Sequence, residues 1–463
     1  MTELWRLPAT KLAADIAAKR VSPVEVMEAV LGQAERQQAR LTIFCLPLFE
    51  EARQVAKAAE QAVMAGAPLG ALHGVPFTVK DNVALRGYPT RNGTLAVEPP
   101  PAAESWAVVD RLVAAGGIPI GKTTLPEFAH KVLTDSPGWG ITRNPWNLDR
   151  TPGGSSGGAS AGLAAGVAPL AIGTDGGGSI RCPASCTSVV GLKATLGRIP
   201  NETFPDPFGN YAFVGPMART VSDCALMLSV MAGPERRDPW SLDIAPVEMT
   251  PTVTGLRIGW IEQFGHYRTH PEVLAAMQAG RAALEAAGAA IEPLADPCFD
   301  NVFDTYIVVA TTAHAARLGP LEERTGGTMT ESMRESIGIG RRFSAAELVR
   351  AMDRRGALHR AVQRLFERFD LIATPTMLAP PAPLDAGGSV ASPFYAEWAA
   401  PLYPFNLTGH PAASVPVGFG SEGTPIGLQL VGPWHGEAPI LAAAAALEQA
   451  LGWPTKWPDM RSA

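Results

Sequence analysis

Three short stretches of this 463-residue chain combine residue types suited to nucleophilic chemistry. In the first, Gly74-Val75-Pro76-Phe77-Thr78-Val79-Lys80-Asp81-Asn82, a lysine directly follows an apolar run. Lysine is almost never fully buried without a partner or a purpose. Desolvation lowers its pKa towards a neutral amine, which is a competent base. The plain alternative is a strand-end lysine paired with Asp81. The second stretch, Thr151-Pro152-Gly153-Gly154-Ser155-Ser156-Gly157-Gly158, sets two serines between paired glycines. Such a backbone turns sharply and presents hydroxyls; a flexible turn is the plain alternative. It is a poor phosphate cradle, because no G-x-x-x-x-G-K-[ST] pattern is present. The third, Gly173-Thr174-Asp175-Gly176-Gly177-Gly178-Ser179-Ile180-Arg181, places three glycines before a serine. Consecutive small residues can aim several backbone N–H groups at one point, where a developing oxyanion would sit. A tight glycine loop with no further role is the plain alternative. The pattern is not G-x-S-x-G, so the strand-to-helix elbow of the α/β-hydrolases does not fit.

A serine nucleophile needs a base within hydrogen-bond reach, directly or through a relay. The chain has eight histidines, none in a recognisable triad context. His73 lies near Lys80 in sequence and His410 precedes a proline; neither is a strong candidate. A Ser–Ser–Lys arrangement requires no histidine, and the three stretches supply its parts.

Strands and helices must bring these parts together. The first seventy residues read as helical, and Ser22-Pro23-Val24-Glu25 carries an N-cap, a proline at N1 and a capping-box glutamate. Runs at 75–79 and 118–120 read as buried strands flanking a helix at 105–115, which suggests an α/β layer with a partly parallel sheet. Between 153 and 178 the reading is loop, a small-residue helix at 158–166, a strand at 169–172, then loop. From about 250 to 365 the chain reads as mostly helical with one strand, 256–261. Strands at 371–374, 413–417 and 426–431 and a helix at 437–451 complete it. No linker or repeat marks a boundary, so one domain over 1–463 is expected. Within it we distinguish an N-terminal helical segment (1–70), a catalytic core (71–234), a variable substrate-access region (235–365) and a C-terminal part of the core sheet (366–463).

Composition narrows the function classes. Charged residues are 18%, hydrophobic residues 46% and the net charge is −6, a globular profile without the basic face that nucleic acid requires. The five cysteines, with Cys182 and Cys186 spaced C-x3-C, match no common zinc or redox pattern and read as reduced thiols. No signal peptide is visible, and the most apolar stretch, 159–173, is too short and broken to span a bilayer. A cytoplasmic protein with no membrane partner is the default expectation, and a homodimer is compatible with it.

At the three stretches the sequence resembles the amidase signature family, in spacing as well as residues. Lys80 and Ser155 are 75 positions apart, and Ser155 and Ser179 are 24. The resemblance continues at Gly121-Lys122-Thr123, Asn144-Pro145-Trp146, Gly191-Leu192-Lys193 and Gly215-Pro216-Met217-Ala218-Arg219-Thr220-Val221. It returns at Phe405-Asn406-Leu407-Thr408-Gly409 and Gly427-Leu428-Gln429-Leu430-Val431-Gly432. The stretch from about 235 to 365 matches weakly. The resemblance implies one α/β domain, a twisted mixed sheet with helices on both faces. It implies Ser179 as nucleophile, Ser155 as proton relay on a cis peptide and Lys80 as base. N–H groups of Gly176, Gly177, Gly178 and Ser179 would form the oxyanion hole, with Ser156 and Arg181 in support. It further implies an acyl-enzyme attacked by water, with no metal or organic cofactor. Gly176 departs from the family, where a larger residue, often threonine, is common; Thr124 and Ala194 also depart.

The expected activity is therefore hydrolysis of a small-molecule amide or carbamate, as an aryl or alkyl amidase or a urethanase, with esterase activity on the side. The aromatics Trp139, Phe204, Phe208, Tyr211 and Phe213 are candidates to line its entrance. The alternatives are the catalytic subunit of a transfer-RNA-dependent amidotransferase and a non-catalytic binding protein on the same fold.

Overall fold

Eleven strands drawn from nearly the whole length of the chain form one mixed sheet. The structure, a computed structural model, describes residues 3–206, 208–248, 252–387 and 391–459. In chain order the strands are β1 (Phe44–Pro47), β2 (Pro76–Lys80), β3 (Ile118–Thr123), β4 (Asp135–Ser136), β5 (Gly140–Ile141), β6 (Leu170–Asp175) and β7 (Val190–Lys193). They continue with β8 (Phe213–Ala218), β9 (Arg257–Trp260), β10 (Ala290–Pro293), β11 (Leu371–Pro375), β12 (Ala412–Phe419) and β13 (Pro425–Val431). The spatial order is β1-β3-β2-β6-β8-β7-β12-β13-β11-β9-β10, with β4 and β5 forming a separate ribbon. β2 runs parallel to both β3 and β6, whereas β6 and β8 are antiparallel. This is the single-domain α/β architecture expected from the sequence.

The strands nearest the three chemical stretches are buried on both faces. β2 and β6 are buried at every residue, which is why they read as short continuous apolar runs rather than alternating ones. Their closest helix, Gly157–Ala164, is also buried along its whole length, as its Gly, Ala and Ser composition permits. The N-terminal signal folds as anticipated. Ser22 caps the helix Pro23–Leu41, accepting from the Val24 N–H at 2.9 Å, and Glu25 reaches back to the Ser22 N–H at 2.9 Å. Val26, Val30 and Ala34 on that helix are fully buried. The C-terminal helix spans Glu437–Leu451 as read.

Four sheet strands escaped the sequence reading. β1 interrupts the helical N-terminal segment with four residues, and β10 adds a second, largely exposed strand to the 250–365 region. β7 and β8 contain Gly191, Gly215 and Pro216. Glycine and proline argue against an internal strand, yet β8 sits between β6 and β7 with Pro216 opposite Ile172. The register there is set by the neighbouring strands, not by local propensity.

Replacing Ser22 with alanine should lower unfolding free energy by about 1 kcal/mol, the usual worth of an N-cap. Urea denaturation monitored by circular dichroism would measure it. An unchanged midpoint would mean that Glu25 and tertiary packing hold this helix start without the hydroxyl.

Candidate active site

β2 and β6 lie side by side and parallel, with Val79 opposite Ile172. That register brings Lys80, the last residue of β2, beside Thr174 near the end of β6. The carboxyl ends of adjacent parallel strands are where open α/β sheets form their ligand crevices. Lys80 is completely buried. Its Nζ lies 2.8 Å from Ser155 Oγ, 2.9 Å from Thr174 Oγ1 and 3.3 Å from the Thr174 carbonyl oxygen. Asn82 Nδ2 donates to the same Thr174 hydroxyl at 2.9 Å. Burial pushes the Lys80 pKa well below the ordinary lysine value, against the opposing pull of Asp175. The pairing of Lys80 with Asp81 considered from sequence does not occur: Asp81 is bound instead by Lys122, at 2.9 Å.

Ser155 precedes the helix Gly157–Ala164, and the Gly154–Ser155 peptide is cis. Ser156 ties the serine loop to β6. Its Oγ donates to the Thr174 carbonyl at 3.2 Å and accepts from the Thr174 N–H at 3.3 Å. Its own N–H donates to the Ser179 carbonyl at 3.2 Å. Ser155 and Ser179 both line one cavity of about 410 Å³. That volume suits a small organic ligand. No hydrogen bond joins the two hydroxyls directly. Such contacts are often long without a ligand and tighten when one binds.

The glycine loop owes its shape to a buried ion pair. Asp175 and Arg181 are both without exposure. Arg181 Nε donates to Asp175 Oδ2 and Nη2 to Oδ1, each at 3.0 Å. The remaining guanidinium donors go to Gln429 Oε1 at 2.6 Å, the Leu402 carbonyl at 3.1 Å and Asn406 Oδ1 at 2.5 Å. Asn406 Nδ2 returns to Asp175 Oδ1 at 2.9 Å. Burial alone would raise the Asp175 pKa, but Arg181 and the hydrogen bonds overcome it and hold the carboxyl below its usual range.

Asp175 also claims one of the expected oxyanion donors. The Gly178 N–H donates to Asp175 Oδ1 at 2.6 Å, so it is not free for a ligand. Among the described residues, the N–H groups of Gly176, Gly177 and Ser179 have no such partner. Gly178 has φ of +103°, and a Cβ there would fall 2.1 Å from Leu402 Cδ1. A Cβ on Gly177 would fall 2.2 Å from the Tyr306 hydroxyl. Gly176 is different, since a Cβ there would meet only Ala212 Cβ at 3.5 Å. Glycine at this position therefore leaves space beside the loop.

Of the aromatics proposed for the entrance, Phe204 and Tyr211 line the cavity, and Trp139, Phe208 and Phe213 do not. Phe208 is exposed, and the Phe213 ring lies under Lys193 Nζ at 4.0 Å. The sequence reading missed Tyr306 and His314 of the helix Val302–Thr325, Tyr403, and the turn carrying Phe128 and His130. None of these sits in a motif, and only the fold carries them to the cavity. His130 Nδ1 lies 2.6 Å from the Glu127 carbonyl, so it donates, and burial lowers its pKa to about 3. His314 is lowered to about 4, again mainly by burial. His73 and His410 are engaged elsewhere, with Ala59 and with Thr408 and Gln363. All five cysteines are free thiols. Among the described residues no three His, Cys, Asp or Glu side chains converge as a metal ion would require, and no helix is long and apolar enough to cross a membrane.

Comparison with known proteins gives the family. The amidase family model matches residues 25–441, and the chain belongs to that family. It is 36% identical to an acylamidase of Rhodococcus erythropolis, over 99% of this chain and 98% of that protein. It is also 36% identical to a glutamyl-tRNA(Gln) amidotransferase chain of Synechococcus sp., over 93% of each. Among solved structures, a bacterial aryl acylamidase of the amidase signature family superposes with a TM-score of 0.90 at 29% identity, covering 98% of this chain and 99% of that one. The protein is thus an amide-hydrolysing enzyme by family.

Removing the guanidinium would leave the Asp175 carboxylate buried without its cation. Arg181→Met should cost about 3–5 kcal/mol of stability. Arg181→Lys should recover part of that, since it keeps the charge but not the fork. Urea unfolding would measure both. A loss below about 1 kcal/mol, the scale of an exposed ion pair, would mean that the loop is held by other contacts.

Proposed function

We propose that this enzyme hydrolyses the C–N bond of small-molecule amides, and of carbamates, through an acyl-enzyme on Ser179. The observation that carries the reading is the 2.8 Å contact between Lys80 Nζ and Ser155 Oγ at a fully buried lysine. A neutral amine has two hydrogens and one lone pair. Thr174 offers two acceptors, its carbonyl and its hydroxyl oxygen, and can take both hydrogens. The lone pair then faces the Ser155 hydroxyl. In this reading Ser155 passes its proton to Lys80 while accepting one from Ser179. The Ser179 Oγ–carbonyl bond forms, and the free N–H groups of Gly176, Gly177 and Ser179 receive the oxyanion charge. The proton returns from Lys80 through Ser155 to the leaving nitrogen as the C–N bond breaks. Water then repeats the sequence and releases the acid; a carbamate would yield amine, alcohol and carbon dioxide. Ser156 and Arg181 hold the two loops in place and do not touch the reacting atoms.

The cavity favours an aryl or medium-length alkyl substrate over a small polar amide. Tyr211, Tyr306, Tyr403, Phe128 and Phe204 give it an aromatic lining. The similarity to an acylamidase and an aryl acylamidase supports the same substrate class. The similarity to an amidotransferase chain supports a second reading, in which glutamine is the ammonia source and a partner chain is required.

Amine release from an aryl anilide, an aryl carbamate, a primary amide and glutamine should separate these readings. We expect the lone protein to cleave the anilide or carbamate, and Ser179→Ala to lower kcat by at least about 10³-fold. Turnover that survives in Ser179→Ala would remove Ser179 as nucleophile. Cleavage of glutamine alone would favour the amidotransferase reading.

The lysine predicts a pH profile. A base with a depressed pKa works as the neutral amine, so kcat/KM should fall as pH drops through that pKa. His130 and His314 titrate at about 3 and 4 and cannot supply a limb near neutrality. An acid limb near neutral pH that persists in Lys80→Ala would exclude Lys80 as the base.

A further inference from the structure

The helix Val302–Thr325 turns one face to the cavity along its length. Tyr306, Ala310, Ala313, His314 and Arg317 all line it, at the three- and four-residue spacing of a single helical face. Tyr306 sits against the glycine loop, close enough that its hydroxyl would clash with any side chain at Gly177. Arg317 lies three turns away, about 16 Å along the axis at the helical rise. The alanines between them keep the passage open.

Charge along this passage is one-sided. Among the described residues the lining contains His130, Lys131, His314 and Arg317, and no aspartate or glutamate. At neutral pH both histidines are uncharged, because burial holds them at about 3 and 4. Lys131 is paired with Asp135, at 2.7 Å. Arg317 is exposed at the far end and forms no ion pair among the described residues. Its guanidinium carbon lies 4.0 Å from the centre of the Phe204 ring. A guanidinium held over an aromatic face is attracted by the ring and keeps donors with which to receive a carboxylate in a fork. A preorganised cation costs less to order on binding than a free one.

We propose that Arg317 is a specificity residue for substrates that carry a carboxylate at the end remote from the scissile bond, joined to it by an apolar aryl or alkyl spacer. The assignment rests on the amidase reading above and adds the chemical class of the substrate. Substrates with a cationic far end are disfavoured by the same feature, since among the described residues nothing acidic lines the cavity to receive them.

The test uses two series of long-chain amides, one with a terminal carboxylate on the acyl side and one with it on the amine side. Each is matched by a neutral partner bearing a methyl group in its place. The readout is the ratio of kcat/KM, carboxylate over methyl, within each protein. The wild type should favour the carboxylate by about tenfold in one series, mainly through KM, the scale of one charge-assisted hydrogen bond. The ratio should collapse towards one in Arg317→Met, invert in Arg317→Glu and survive in part in Arg317→Lys. An equal ratio in wild type and Arg317→Met, or a wild-type preference for the methyl partner in both series, would overturn the proposal. Calorimetric binding of the same amides to Ser179→Ala, with and without Arg317→Met, gives the same ratio without turnover. Failure of hydrolysis and failure of anion recognition are thereby separately visible.

Discussion

Asp175 and Arg181 face each other with no access to water, and much of the site depends on that pairing. Desolvating two charges costs several kcal/mol per ion, so the pair is a poor source of net stability. What it supplies is geometry. The Asp175 carboxylate gathers the Gly178 and Ile180 N–H groups, the Asn406 amide and two donors on one edge of the guanidinium. A carboxylate so surrounded can adopt one position only, and the loop between it and Ser179 must close around it. Gln429 on β13 and Asn406 then tie the guanidinium to distant parts of the chain. The loop is thus anchored by the C-terminal part of the chain as well as by its own neighbours.

The lysine illustrates a related constraint. Three lysines, Lys80, Lys122 and Lys193, are fully buried, and each solves the problem differently. Lys122 takes a carboxylate partner, Asp81. Lys193 bonds to the His410 carbonyl and lies over the Phe213 ring, and its pKa is lowered well below normal, first by burial. Lys80 has no carboxylate and no ring. It has two oxygens of Thr174 and one serine hydroxyl, all neutral. An environment of this kind favours the uncharged amine. Burial without an ion-pair partner therefore distinguishes Lys80 from Lys122, although both end or nearly end apolar strands in sequence.

Much of the fold is legible in the chain alone. Continuous apolar runs mark β2, β3, β6 and β11 because strands buried on both faces need no alternation. Ser22-Pro23-Val24-Glu25 marks the start of its helix because a cap is a local hydrogen-bond pattern. β7 and β8 were not readable, since their glycines and Pro216 carry the local signature of turns. Their strand geometry is imposed by pairing with residues far away in sequence. The short edge strands β1 and β10 have four residues each, too few to show a period.

The proposed reactive inventory is written locally in the sequence. Lys80, Ser155, Ser156, Ser179, the three glycines and Arg181 stand in short motifs because each must sit on a tight turn or a strand end, and those are local conformations. What each group does with its bonds depends on the folded chain. Folding turned Asp81 to Lys122 rather than Lys80 and gave the Gly178 N–H to Asp175. It also brought a helix more than a hundred residues away to wall the cavity, with Tyr306 at one end and Arg317 at the other. Side chains that share a cavity need only the same open space, not a shared segment of chain, so no spacing in the sequence announces them.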